Sequence, residues 1–246
     1  MLKFFALFLT IFTSLISSEV NFTQEEKDWI KRSSSIRLGA DNKWPPFDFI
    51  NETGTHVGLS AEYLELIAKK TGLRFDVTAG RWSDIINDMK AKKYDGLTCA
   101  VKTQKREKYL KFTNPYLSVP MVLIVKRDNK SIKTMSDLEG LSVSINKGSY
   151  IHEWLKKNHP KINLYLTTSN EESLEAVSLG KADAYVGNLA VATFIMNKYL
   201  LKMLSTLNLK LSLLSSLLYV FLEFQPFSES FLSIVYKFSS SIKLES

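Results

Sequence analysis

Between Ile36 and Val101 short strand-like runs alternate with helical ones, and this alternation constrains the chain more than any other feature. Ile36 to Ala40 alternates apolar and polar side chains and predicts a first strand. Two prolines exclude helix from the next stretch, Asp41 to Phe49 (DNKWPPFDF), so it reads as a loop holding Trp44 and Phe47 on a stiff backbone. A turn-rich excursion, Asn51 to Gly58, leads to a helix that Ser60 caps and that runs to Lys70, with Leu64, Ile67 and Ala68 on one face and Gly72 as its stop. Leu73, Phe75 and Val77 mark a second strand, Ser83 caps a helix carrying Ile85, Ile86 and Met89, and Gly96 to Val101 is a third strand. This order predicts a mostly parallel sheet flanked by helices, in which ligands bind beyond the carboxyl ends of the strands. Asp41 to Phe47, Trp82 and Lys102 to Arg106 all take that position.

The pattern then starts again. Val119 to Lys126 is a long apolar strand, Ser136 with Glu139 has capping-box spacing, and Leu141, Val143 and Ile145 alternate as a strand. Lys147, Gly148 and Ser149 turn into a helix through Asn158, and Ile162 to Leu166 is a strand. Ser169 with Glu172 caps a further helix, and Ala182 to Val186 is a strand with Asn188 just past its end. These elements make a second lobe of similar build. Ahead of both lobes, Phe22 to Ile30 predicts a short helix with a capping box at Thr23 and Glu26. After Tyr199 a Leu- and Ser-rich stretch has no clear period, and Phe231 to Ile242 reads as an amphipathic helix.

The first residues set the expected compartment. Lys3, the apolar run Phe4 to Ile16 and the small residues Ser17 and Ser18 have the layout of a secretory signal peptide, too short for a membrane span of about 20 residues. A periplasmic mature chain starting at Glu19, monomeric and without a membrane span, is the expectation. The net charge of +7 then suits an anionic solute, an envelope surface or no role at all better than nucleic acid. Cys99 is the only cysteine, which excludes an internal disulfide, and it reads as a small buried residue. His56, His152 and His159 lack metal-ligand spacing and read as surface residues; no phosphate loop, zinc pattern or nucleophile elbow is present. Neither metal, cofactor nor catalytic residue is expected.

Six motifs in order carry a family likeness: GADNKWPPFDF, GLSAEYLELIAKKTG, RWSDIINDMKAKKYDG, TQKREKYLKFTNPY, SDLEGLSVSINKGSY and GKADAYVGN. From Ile36 to Tyr199 the chain resembles the bacterial extracellular solute-binding proteins of family 3, the polar amino-acid receptors. The FTQEEKDWI prelude and the GKADAYVGNLAVA run look more like the Venus-flytrap domains of sensor kinases and diguanylate cyclases. The resemblance implies an α/β, two-lobed periplasmic binding protein of type II, its lobes joined by hinge strands. The expected layout is signal peptide 1–18, first lobe 19–118, second lobe 119–195, and a return to the first lobe over 196–246. Leu200 to about Ser230 departs from the family pattern and reads as an altered or truncated return.

The resemblance also implies a site. Thr103 to Arg106 matches the family's TxxR motif, whose arginine lies over the ligand carboxylate, and a guanidinium offers the planar fork for that contact. Lys102, Lys105, Lys108 and Lys111 read instead as one solvated basic face. Trp44, Phe47 and Trp82 resemble aromatic walls, Asp41 a position near the ligand amine, and Cys99 and Val101 a strand end offering backbone groups. Asn146, Gly148 and Ser149 lie on a strand-to-helix turn whose N–H groups favour an anion. Asn188 stands where many amino-acid receptors carry an aspartate; it keeps a carbonyl acceptor without the charge, which leaves room for a carboxylate or a neutral polar solute. The expected function is capture of a small, carboxylate-bearing solute, an amino acid or a related compound, by hinge closure for delivery to an ABC permease. The alternatives are the sensing domain of a kinase or cyclase and a periplasmic dehydratase-like enzyme. For the enzyme the acids at hand, Asp48 and Glu62, match scaffold positions.

Overall fold

A computed structural model of the chain describes residues 21–199, together with three further strands over 204–207, 215–219 and 221–223. The signal segment 1–18 and the helix expected over Phe231 to Ile242 lie outside the described residues.

Helix α1 (Gln24–Arg32) opens with the predicted box: the Thr23 amide donates to Glu26 Oε2 at 2.7 Å, and the Glu26 amide donates to Thr23 Oγ1 at 3.2 Å. Strand β1 (Ile36–Asp41) follows. The stretch expected as loop and turns is instead a small antiparallel sheet of β2 (Lys43–Trp44), β3 (Asp48–Ile50) and β4 (His56–Val57). Strands of two or three residues are too short for alternation to register. The turn joining β3 to β4 is closed by Asn51, whose Oδ1 accepts from the amides of Thr53 and Thr55.

Next come α2 (Leu59–Thr71), β5 (Phe75–Gly80) and α3 (Trp82–Lys90). Ser60 and Ser83 do not cap these helices: Gly58 and Arg81 stand at the caps. The Ser60 hydroxyl turns inward to Phe47 O and Asp48 Oδ1 instead. At Gly58, with φ +114, a Cβ would fall 2.6 Å from Phe47 O, so only glycine lets the two backbones meet. The predicted third strand is split into β6 (Gly96–Leu97) and β7 (Ala100–Val101), which join different sheets. A 3₁₀ turn at Arg106–Lys108 leads to β8 (Leu110–Phe112) and then to β9 (Leu117–Lys126).

The second half begins with β10 (Ser142–Asn146), α4 (Tyr150–Asn158) and β11 (Asn163–Thr167). It continues with α5 (Asn170–Ser178), β12 (Ala184–Asn188) and α6 (Leu189–Lys198). Ser149 and Ser169 cap α4 and α5, accepting from the amides of His152 and Glu172. Ser136 starts no capped helix; Asp137 accepts from the amides of Lys133 and Thr134 around a single 3₁₀ turn. The last described strands are β13 (Leu204–Leu207), β14 (Ser215–Tyr219) and β15 (Phe221–Glu223).

The first sheet is parallel, in the order β5-β1-β6. The second has the parallel strands β11-β10-β12, then β9 running antiparallel beside β12. Strand β9 is long because it serves two neighbourhoods. Its end, Leu123 to Lys126, pairs with β13, and its start, Leu117 to Pro120, pairs with β14, which also pairs with β7. Strands β9 and β14 are therefore the antiparallel pair that links the halves, and β15 returns to β8. Met121 to Val125 are all buried, which explains an unbroken apolar run without alternation. Each such side chain taken out of water stabilises the fold by about 1.5–3 kcal/mol.

Asp48 ties the first half together. It is 0% exposed and accepts from the Asp41 amide at 2.9 Å, Ser60 Oγ at 2.6 Å and Thr98 Oγ1 at 2.7 Å. His56 Nε2 lies 2.6 Å away, so His56 is half-buried against a carboxylate rather than a surface residue. One side chain thus joins β1, β3, β4, α2 and the end of β6.

Candidate ligand-binding cleft

A cavity of about 40 Å³ lies between the two halves. One wall comes from the end of β1 (Asp41), β2 (Trp44), the start of α3 (Trp82), β7 (Ala100 and Val101) and Arg106. The other comes from the end of β10 (Asn146), the turn into α4 (Ser149, Tyr150 and Ile151), the start of α5 (Asn170) and the end of β12 (Asn188). Most of these positions are carboxyl ends of strands or the helix starts that follow them, where parallel sheets leave backbone and side chains open to a ligand. Free space of this size admits a few water molecules, so a solute of amino-acid size enters only when the walls part.

Arg106 is 2% exposed. Its Nη1 donates to Val101 O at 2.8 Å, its Nη2 reaches Gly148 O at 3.4 Å, and the guanidinium lies 5.0 Å from the centre of the Trp82 ring. Among the described residues it makes no ion pair. Burial lowers its pKa, and the nearby Glu153 carboxylate works against that shift. A buried cation without a carboxylate partner is costly for a fold, and it is a group ready for an anionic ligand.

Contacts across the mouth hold the halves together. Trp82 Nε1 donates to Gly148 O at 3.0 Å, and Thr103 Oγ1 donates to Glu153 Oε2 at 3.3 Å. Lys105 Nζ lies 3.2 Å from Glu153 Oε1, and Lys157 Nζ donates to Gln104 Oε1 at 3.2 Å.

Eight of the residues singled out from the sequence line the cavity: Asp41, Trp44, Trp82, Val101, Arg106, Asn146, Ser149 and Asn188. Four do not. Phe47 is buried behind Trp44, ring centres 5.2 Å apart, and Cys99 is buried under the Tyr116 hydroxyl, which donates to its Sγ at 3.0 Å. Burial pushes the Cys99 thiol well above its ordinary pKa, as expected for an unreactive group. Thr103 holds the mouth, and Gly148 presents its carbonyl to Trp82 and Arg106. The turn offers less to an anion than its sequence suggested. The Gly148 amide donates to His152 Nδ1 and the Ser149 amide to Asn146 O. His152 is accordingly half-buried in this turn rather than a plain surface residue. The Val101 carbonyl is likewise taken by Arg106.

Ala100, Tyr150, Ile151 and Asn170 line the cavity without having been singled out. Asn170 follows the capping Ser169 and carries no local signal; only the approach of α5 to the cleft places it there. Asn188 proves to be both the end of β12 and the cap of α6, its Oδ1 accepting from the amides of Ala190 and Val191.

Asp41 is 5% exposed, and burial, aided by the nearby Asp48 charge, pushes its pKa up to about 7. An unfolded aspartate titrates near 3.9. Between these values the folded chain binds more protons than the unfolded one, so this group makes stability fall as pH rises from about 4 to 7. Asp41→Asn is expected to remove that component. Denaturant midpoints measured across this range for both proteins give the comparison, and parallel pH profiles would reject the shift.

Residues 36–184 match the family model of bacterial extracellular solute-binding proteins, family 3. The chain belongs to this family. Over 160 residues it is 31% identical to a probable amino-acid-binding protein, YxeM, of Bacillus subtilis, spanning 63% of this chain and 60% of that one. It is 24% identical over 171 residues to the L-cystine-binding protein TcyJ of Escherichia coli, spanning 69% and 64%. The chain thus covers somewhat under two thirds of these relatives' length. Among solved structures, the periplasmic VFT2 domain of Bordetella pertussis BvgS superposes with a TM-score of 0.78 at 22% identity, covering 91% of this chain and 94% of that domain. A histidine kinase sensor domain similar to periplasmic binding proteins gives a TM-score of 0.77 at 23% identity, covering 86% and 90%. The fold of this family 3 protein is accordingly the two-lobed Venus flytrap. Among the described residues no helix is long and apolar enough to cross a membrane, and no cluster of His, Cys, Asp or Glu has the makings of a metal site.

Proposed function

We propose that this family 3 protein is a periplasmic solute receptor rather than an enzyme, and that it captures a small carboxylate-bearing solute by hinge closure for ABC-type uptake. Arg106 carries the reading: a buried guanidinium, stacked on Trp82 and without an ion pair among the described residues, at a cavity between two lobes. The lobes are residues 19–118 and 119–195, with the chain from 196 returning to the first. Rotation about β9 and β14 opens the cleft, and a ligand carboxylate takes the place of Gly148 O at Arg106 Nη2. Thr103, Gln104 and Lys105 then meet Glu153 and Lys157 as the lobes close over it.

A second reading, the sensing module of a signalling receptor, draws on the likeness in fold to two sensor domains among the solved structures. Both roles require ligand capture. A melt of the purified protein against a panel of amino acids, aliphatic carboxylates and aromatic acids is expected to show a raised Tm with at least one of them, because a ligand of the folded state stabilises it. A flat response to the whole panel rejects capture. In a deletion strain, lost uptake of that ligand supports transport, whereas a lost transcriptional response with intact uptake supports sensing.

A further inference from the structure

The groups left uncommitted in the cleft are mostly donors. Asn188 is 2% exposed and lines the cavity. Its Oδ1 accepts from Ala190 N at 3.0 Å and Val191 N at 3.3 Å, which fixes the amide orientation, since the flipped form would set an NH₂ group against two N–H donors. The other end, Nδ2, is buried and has no hydrogen-bond partner among the described residues. Asn170, also at the cavity, accepts at its Oδ1 from the Tyr185 hydroxyl at 3.0 Å, which leaves its NH₂ as a further donor. Ser149 Oγ accepts from the His152 amide and keeps its O–H proton for the cleft. With Arg106 these make a wall of N–H and O–H groups. Asn146 can turn either edge of its amide, and among the described residues the one carboxyl in the lining is Asp41, whose Oδ1 accepts from the Lys43 amide.

An ammonium group has three donors and no acceptor. Placed beside Asn188 Nδ2 it would leave that buried donor unsatisfied and add three more. A carbonyl or hydroxyl oxygen at the same place accepts from Nδ2 and satisfies it. Arg106 and Asn188 line the same cavity of about 40 Å³, one from each wall.

Resting on the capture reading above, we infer that the ligand is a carboxylate bearing an oxygen acceptor, not an ammonium, on the carbon next to its carboxylate: the 2-oxo and 2-hydroxy acid class rather than the α-amino acids. Arg106 takes the carboxylate and Asn188 Nδ2 donates to the neighbouring oxygen. Asp41 agrees with this arrangement. Burial, aided by the Asp48 charge, raises its pKa to about 7, so below that pH it is largely neutral and can donate to an acceptor.

The test uses matched pairs that differ only at that carbon: L-alanine with pyruvate, L-glutamate with 2-oxoglutarate, L-phenylalanine with phenylpyruvate. Titration calorimetry on the wild-type chain is expected to show an oxo acid binding more tightly than its amino partner. Asn188→Asp keeps the oxygen that caps α6 but replaces the donor with a carboxylate oxygen, so the variant should melt cooperatively. It is expected to lose at least about tenfold in affinity for the oxo acid and to gain for the amino acid. Wild-type preference for the amino member of the binding pairs overturns the inference and leaves capture intact. Unchanged selectivity in Asn188→Asp overturns the role of Nδ2. A flat response to all three pairs overturns the inference, and capture falls with it only if the wider panel is flat as well.

Discussion

Replacing Asp48 by alanine is expected to destabilise the protein by about 4 kcal/mol, a large share of the stability of a domain this size. The carboxylate is 0% exposed and has four partners. Without it the Asp41 amide has no acceptor in reach of the fold, and Thr98 keeps only a 3.4 Å contact to Gly39 O. Each buried donor left unmade costs about 1–3 kcal/mol. Ser60 retains Phe47 O at 2.8 Å and loses least, while His56 reaches water on its half-buried side. A cavity the size of a carboxylate adds to the cost. Asp48→Asn, which keeps one oxygen, should lose less than half as much. Urea unfolding of the three proteins measures the series, and an Asp48→Ala loss under about 1 kcal/mol would show that water replaces the carboxylate. The damage would also reach the cleft, because Asp48 fixes the amide of Asp41.

Arg106→Ala is expected to weaken binding of the carboxylate ligand by about 3–5 kcal/mol, two to nearly four decades in Kd, since a buried carboxylate would lose its partner. The companion measurement is stability. Arg106 carries its charge into the interior with two carbonyls and the face of Trp82 for company, and makes no ion pair with a carboxylate among the described residues. Burying it opposes folding, so Arg106→Met, of similar length and without charge, should leave the melting temperature unchanged or raised while binding disappears. A residue kept for the fold would behave the other way: the same variant would melt earlier and affinity would fall only in proportion. Calorimetric titration together with thermal unfolding separates the two.

How far the sequence reached can be followed residue by residue. The strand and helix order of both halves, and the caps at Thr23 and Ser169, were legible because each rests on contacts within three or four residues. The same reasoning failed at Ser60. Its hydroxyl lies next to a helix start in sequence, but Asp48, twelve positions away, draws it inward. The strand read over Gly96 to Val101 is two strands in two sheets, since Leu97 pairs with β1 and Val101 with β14, a distinction no local period carries. The stretch after Tyr199 looked unlike a crossing strand, yet 215–219 pair with both β9 and β7. Backbone pairing needs no particular side chains.

The cleft divides in the same manner. The sequence by itself determined which residue types stand at the ends of the strands: a guanidinium at 106, indoles at 44 and 82, an amide rather than a carboxylate at 188. Chemistry of that kind travels with the residue. Only the tertiary structure decided which face of each group remains available. It spent the Asn188 carbonyl on α6 and left its NH₂ buried without a partner among the described residues, tied the Gly148 and Ser149 amides into their own turn, and brought Asn170 to the same wall. A hydrogen-bonding group serves one partner at a time in a given direction, so what it can offer a ligand is fixed by what the fold has already taken.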